Sequence, residues 1–168
     1  MKKWMALCAV VLLLCGGMLF RHTAALKGDT VESREAILRN RPKNIPWNIA
    51  VEQAMEGHLL CGITAGQKTG IAVFTPERDG YGLLSSRWLD RPDSIVIDHA
   101  VMGGKMYDLI WFNGAQTEYA ELTYTEPGKR PETLRCDTAG MPVICCEAPA
   151  GDYTLQVRYF DAQGNVYE

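Results

Sequence analysis

From His58 to the end of the chain, apolar and polar positions alternate with a period of two. Tyr153, Leu155, Val157 and Tyr159 alternate with Thr154, Gln156 and Arg158, and Ala120, Leu122 and Tyr124 alternate with Glu121, Thr123 and Thr125. Successive side chains of a strand point to opposite faces, so this pattern predicts strands. They are expected over 58–65, 70–75, 81–89, 95–102, 105–112, 118–125, 133–136, 143–146 and 153–160. The intervening stretches carry turn chemistry: Gly66 to Gly70, Glu77 to Gly80, Asp90 to Asp93, Asn113-Gly114 and Glu126 to Lys129. No helical crossovers separate the strands, which excludes a parallel sheet and predicts an antiparallel sandwich or barrel. In 95–102, Ile95, Ile97, His99 and Val101 oppose Val96, Asp98, Ala100 and Met102. Such alternation predicts sheets with one face packed and one face wet.

Before Gly57 the pattern is helical. Asp29-Thr30 caps a short helix with a partial stripe of Val31, Ala36, Ile37 and Leu38, and Arg41-Pro42 ends it. A second helix is expected from Pro46, with Trp47, Ala50, Val51, Ala54 and Met55 at helical spacing and Gly57 just past its end. Trp47 is read as a core-facing anchor rather than a binding aromatic. Residues 27–57 are thus expected to form a helical spacer.

The strongest single signal lies at the start. Lys2 and Lys3 precede an apolar run of 17 residues, Trp4 to Phe20, closed by Arg21. As a helix it would span roughly 25 Å, near the lower limit for crossing a bilayer. A retained signal anchor over 1–26 is the preferred reading. A cleaved signal ending at Thr23-Ala24-Ala25 and a lipoprotein with lipid on Cys15 compete with it. The second places Arg21 between the apolar run and the cleavage site, and the third has Leu14 where a small residue is needed. The basic N-tail orients the amino terminus inside and the rest of the chain outside, although Arg21, Lys27 and Arg34 nearly balance the charge count.

Charge narrows the partners. Of 17 Lys+Arg, three (Lys2, Lys3, Arg21) belong to the anchor, leaving 14 against 20 Asp+Glu, or −6, in residues 27–168. An acidic body excludes nucleic acid as an expected partner, because phosphates reward clustered Lys and Arg.

Pro149-Ala150-Gly151-Asp152-Tyr153-Thr154-Leu155-Gln156-Val157, followed by Asp161-Ala162-Gln163-Gly164-Asn165, resembles the penultimate strand and final hairpin of bacterial immunoglobulin-like domains. The resemblance implies a corner role for Tyr153, its hydroxyl bonded to upstream backbone, and a last hairpin turning at Gly164 and Asn165. It implies an adhesive or spacer role and carries over no catalytic residue. Upstream it extends only to a compatible strand count from about residue 95. The family's last strand is longer than Val166-Tyr167-Glu168, and its inter-sheet disulfide pattern is not evident. The overall layout is similar to small membrane-anchored extracytoplasmic proteins of Gram-positive bacteria, a likeness that implies no activity. The expected fold is therefore mainly β: an N-terminal transmembrane helix, a short helical stalk and an antiparallel immunoglobulin-like β-sandwich. The division is 1–26 anchor, 27–57 spacer and 58–168 β domain. The edge near 166–168 is read as a short protective strand or as a place where a partner's strand pairs.

Candidate chemistry is sparse. Cys8 and Cys15 lie in the apolar run, and Cys61, Cys136, Cys145 and Cys146 lie outside it. The four form two bridges, with three connectivities open, or stay free. Cys145 and Cys146 are adjacent on a strand and face opposite ways, so at most one is expected in a core. Cys136 is a plausible partner for either across neighbouring strands. No C-x-x-C spacing points to metal, and no cofactor is expected. A cysteine nucleophile requires a histidine, and only His58 and His99 lie outside the anchor; His99, Cys145 and Cys146 are weak catalytic candidates. Asp98 adjoins His99 but points to the other face. No Gly-x-Ser-x-Gly, phosphate loop, His-Glu-x-x-His or dinucleotide fingerprint occurs; Met102-Gly103-Gly104-Lys105 is read as a hairpin turn. Trp88, Trp111, Tyr107, Phe112 and Tyr119 could serve as binding platforms, with core packing the default. The expected function is a non-enzymatic, membrane-anchored binding or scaffolding module outside the cytoplasm. The alternatives are an envelope enzyme with a Cys/His pair assembled in three dimensions, or a sensor or regulatory subunit of a membrane complex.

Overall fold

The structure, a computed structural model, describes residues 27–41, 44–91, 95–114 and 117–167. The apolar run 4–20, and with it the expected membrane anchor, lies outside them. Among the described residues no helix is long and apolar enough to cross a membrane.

One helix and eleven antiparallel strands make up the described chain: α1 (Val31–Arg39), β1 (Asn48–Met55), β2 (His58–Ala65), β3 (Lys68–Glu77), β4 (Gly80–Leu89), β5 (Ile95–Met102), β6 (Lys105–Phe112), β7 (Tyr119–Thr125), β8 (Glu132–Asp137), β9 (Ile144–Glu147), β10 (Thr154–Phe160) and β11 (Val166–Tyr167). They form three sheets, ordered β1-β2-β3-β4, β5-β6-β9 and β11-β10-β7-β8. The nine strands expected from alternation are all present, with ends moved by no more than two residues.

The helix expected from Pro46 is instead β1. Glu56 and Gly57 both have positive φ, 48° and 81°, the backbone of a tight hairpin turn whose twist suits antiparallel strands. Gly57 therefore reverses a hairpin and does not cap a helix. The turn returns the chain onto β2, pairing Ala54 with Leu59 and Met55 with His58. The apolar spacing fits either element over so short a stretch, and sheet pairing supplies what an isolated helix of this length lacks. Trp47 is buried in the core, as anticipated, with its ring centroid 5.6 Å from that of Trp88.

Nor is the surviving helix a stalk. α1 opens with a capping box, in which Ser33 N–H donates to Thr30 Oγ1 and Thr30 N–H donates to Ser33 Oγ. Leu38 is buried against the first sheet, and burying such a side chain contributes about 2 kcal/mol. Arg34 is also buried. Its Nε and Nη2 donate to Glu52 Oε2 at 3.0 and 2.5 Å, and Nη1 donates to the Gly28 carbonyl at 2.7 Å. At the helix entry Tyr81 N–H donates to the Lys27 carbonyl at 2.7 Å. Gly28 has φ of 67°, and a Cβ there would stand 2.0 Å from the Tyr81 oxygen. Residues 27–41 are thus part of the β domain.

The layers run helix, first sheet, middle sheet, last sheet. Leu38, Trp47, Cys61, Ile63 and Phe74 fill the first interlayer. Leu60, Ile71 and Val73 meet Val96, Leu109, Trp111 and Cys145 in the second. Ile110 and Ile144 meet Ala120, Leu122, Val157 and Tyr159 in the third. Along the edge strand β5 the face of Ile95, Ile97, His99 and Val101 opens to solvent at His99 and Val101, opposite buried Val96, Ala100 and Met102, the wet face expected along 95–102. Further in, the middle sheet is covered on both faces. Its central strand shows why: from Tyr107 to Trp111 every residue is buried, the run expected of a doubly covered strand. Gly62 lets the first two sheets approach, since a Cβ there would fall 2.3 Å from the Trp111 indole.

Candidate functional site

Antiparallel partners directly opposite each other point to the same face of a sheet. His99 pairs with Asp108, and Asp108 pairs with Cys146. These three side chains form one rung of the middle sheet, facing the last sheet. Asp98, the neighbour in the chain, belongs to the other face of the strand; the partner of His99 is the neighbour across the ladder, Asp108. Asp108 had a sequence signal, a carboxylate inside the apolar run Met106 to Phe112, but that signal names no partner.

Asp108 is fully buried. Its Oδ1 accepts from His99 Nδ1 at 2.7 Å and from the Tyr153 hydroxyl at 2.6 Å. With a carboxylate facing Nδ1, the proton sits on that nitrogen, and Nε2 is the ring nitrogen left for other partners. The Tyr153 hydroxyl is thus committed to a side chain rather than to upstream backbone as the corner role implies. It links the segment entering β10 to the middle sheet. Burial, its hydrogen bond to Asp108 and the negative charge there push Tyr153 up to about 12. Tyr124 is buried close by, and burial followed by the Asp108 charge raises it well above the ordinary tyrosine value. Asp108 Oδ2 and the Tyr124 hydroxyl are both buried without a direct hydrogen bond. Outside this cluster lies an open depression of about 420 Å³ lined by Ile97, His99, Gly151, Asp152, Tyr153 and Leu155.

The cysteines separate by layer. Cys61 lies under the helix, where burial and then the Glu52 charge push its thiol up to about 12. Cys145 faces the second interlayer, and burial, followed by the charges of Glu56 and Asp108, raises it to about 11. Cys146 faces the third, and burial followed by Cys136 raises it to about 12. Both members of the adjacent pair therefore enter a core, where at most one was expected. The reason is the doubly covered middle sheet. His99 and Cys146 stand two strands apart with Asp108 between them, a backbone separation of about 10 Å. The arrangement does not assemble a Cys/His pair, and the raised thiols run opposite to what nucleophilic attack needs.

The remaining expectations fall away from this cluster. Gly164, with φ of 83°, and Asn165 turn the last hairpin. Asp161 organises it, its Oδ1 accepting from the backbone N–H of Gln163 and Asn165 and its Oδ2 from the Asn165 side chain. These bonds, that of the Asn165 side chain first, hold the Asp161 carboxyl below its usual range. Tyr107 and Trp111 are core residues, while Trp88, Phe112 and Tyr119 are half-buried, each against another aromatic ring or an arginine. Among the described residues no three His, Cys, Asp or Glu side chains converge as metal ligands. No protein-family model, curated protein or solved structure matches the chain.

Proposed function

We propose that the chain is a membrane-anchored binding or scaffolding module whose β domain stands outside the cytoplasm. The observation that carries this reading is the order of the last seven strands. With β5-β6-β9 opposite β11-β10-β7-β8, β5, β6 and β9 take the places of strands A, B and E of an immunoglobulin-like sandwich. β7, β10 and β11 take those of C, F and G, with β8 added beside C as in variable-type domains. The resemblance of Pro149 to Asn165 to that family supports the same assignment. The apolar run 4–20 behind two lysines supports the anchor and the orientation.

The His99–Asp108 pair beside an open depression favours one competing reading, an envelope enzyme with His99 as a base. Two experiments separate them. A reporter enzyme active only outside the cytoplasm, fused after Glu168, is expected to be active, and the fusion to sediment with membranes. A reporter active only inside overturns the localisation. Turnover of a cell-envelope polymer by the purified full chain, lost in His99→Ala with the fold intact, overturns the non-enzymatic role.

A further inference from the structure

Among the described residues four cysteines occupy three interlayers, and of these only Cys136 and Cys146 share one. Their directions follow from the ladder. Cys136 pairs with Ala120, which pairs with Tyr159. Ala120 and Tyr159 are fully buried between the last two sheets, so Cys136 points inward from β8. Cys146 pairs with Asp108 on the inward face of the middle sheet. Both side chains pack against the same core cluster between the middle and last sheets. Neither is bonded to sulfur here. Facing sheets lie about 10 Å apart on average and a disulfide holds its Cα atoms about 4.4–6.8 Å apart, so closure draws β8 and β9 together locally.

We propose that Cys136 and Cys146 are a dithiol site that closes to an inter-sheet disulfide under oxidising conditions, and that Cys145 and Cys61 take no part. The oxidant is a small-molecule or protein disulfide. One cysteine loses its proton to solvent, and its thiolate attacks that disulfide, forming a mixed disulfide and releasing one thiolate. The second cysteine, deprotonated in turn, displaces the remaining half. The protein loses two hydrogens, and the oxidant's disulfide becomes two thiols. The bond would tie β8 to β9 across the connection between them. It would restrict the unfolded chain and raise stability against denaturant. Since both thiols are at least half-buried, closure belongs to folding rather than to rapid signalling in the folded state.

The test is to unfold the reduced full chain in detergent and refold it in a buffer of oxidised and reduced glutathione. Alkylation and proteolysis after acidic residues follow, with fragmentation between Cys145 and Cys146 to locate the bridge. The expected product is one bridge joining the peptide that ends at Asp137 to Cys146, with Cys61 and Cys145 alkylated. The oxidised chain should unfold at a higher urea concentration than the reduced one, and Cys136→Ser and Cys146→Ser should abolish that difference. A bridge from Cys136 or Cys146 to any other cysteine, or Cys136 and Cys146 both alkylated after oxidative refolding, overturns the proposal. Peptide mapping of the wild-type chain decides this even where a variant fails to fold. Neither result bears on the membrane-anchored binding role.

Discussion

His99 Nδ1 lies 2.7 Å from Oδ1 of Asp108, an imidazole half open to solvent bonded to a carboxylate with none of its surface exposed. Burying a charge is costly unless donors surround it, so the two donors on Oδ1 are expected to matter unequally to removal from either side. Asp108→Ala strands the Tyr153 hydroxyl and the His99 ring and is expected to cost about 3 kcal/mol. His99→Ala leaves Tyr153 in place and exposes part of the site to water, for about 1 kcal/mol. Urea unfolding of both variants measures the difference; equal costs would show that His99 carries the site as fully as the carboxylate.

A second prediction concerns the attachment of α1. Arg34 is buried and its guanidinium bonds both Glu52 and the Gly28 carbonyl. Glu52→Ala leaves a buried cation with one carbonyl partner and is expected to cost about 3 kcal/mol. Arg34→Lys should not restore the wild-type stability, because a point charge cannot reach both partners as the planar fork does. Amide exchange in α1 checks this directly: protection should fall there before it falls in the last sheet.

Gly62→Ala tests the contact between the first two sheets. The new Cβ would sit 2.3 Å from the Trp111 ring, so the indole or a strand must shift, at a cost of about 1–3 kcal/mol. Tryptophan emission should move to longer wavelength as the packing opens. Unaltered stability and emission would mean that the sheets have slack at this point.

Alkaline pH gives a fourth prediction. Burial raises Tyr124, Tyr153 and Tyr159 in the folded chain, with Tyr153 near 12. The unfolded state loses these protons near pH 10. The stabilisation is therefore complete below about pH 10 and is lost as pH rises toward 12 and beyond. Near-ultraviolet absorbance should show part of the tyrosine ionising only together with unfolding. Tyr153→Phe should remove some of this dependence. Full tyrosine ionisation near pH 10 with the fold intact would contradict the burial described.

Most of the strands were legible because a half-buried strand writes its two faces as alternation. Ala120, Leu122 and Tyr124 inward and Glu121, Thr123 and Thr125 outward are such a strand, and the structure places β7 there. Alternation fails as a guide where both faces are covered. β6 reads as a buried run, which does not say which sheet covers its second face. The pairing of Asn48–Met55 with β2 was illegible for another reason: over eight residues the apolar spacing satisfies a helix and a strand alike. The candidate site was legible only in part. His99 and Tyr153 could be singled out, but Asp108 joins them through the β5–β6 register and a segment some 45 residues downstream.

By itself the sequence determined that the chain is mainly β, where its strands lie from β2 onward and where its last hairpin turns. These properties are local: side-chain periodicity, glycine at positive φ and the bonding of Asp161 to its own turn operate within a few residues. Only the tertiary structure decided that α1 docks, that the middle sheet is covered on both faces, and that Cys146 rather than Cys145 shares an interlayer with Cys136. Those outcomes depend on strand register and on which sheet covers which face. Both are settled by burial between segments far apart in the chain, where no local pattern records the partner.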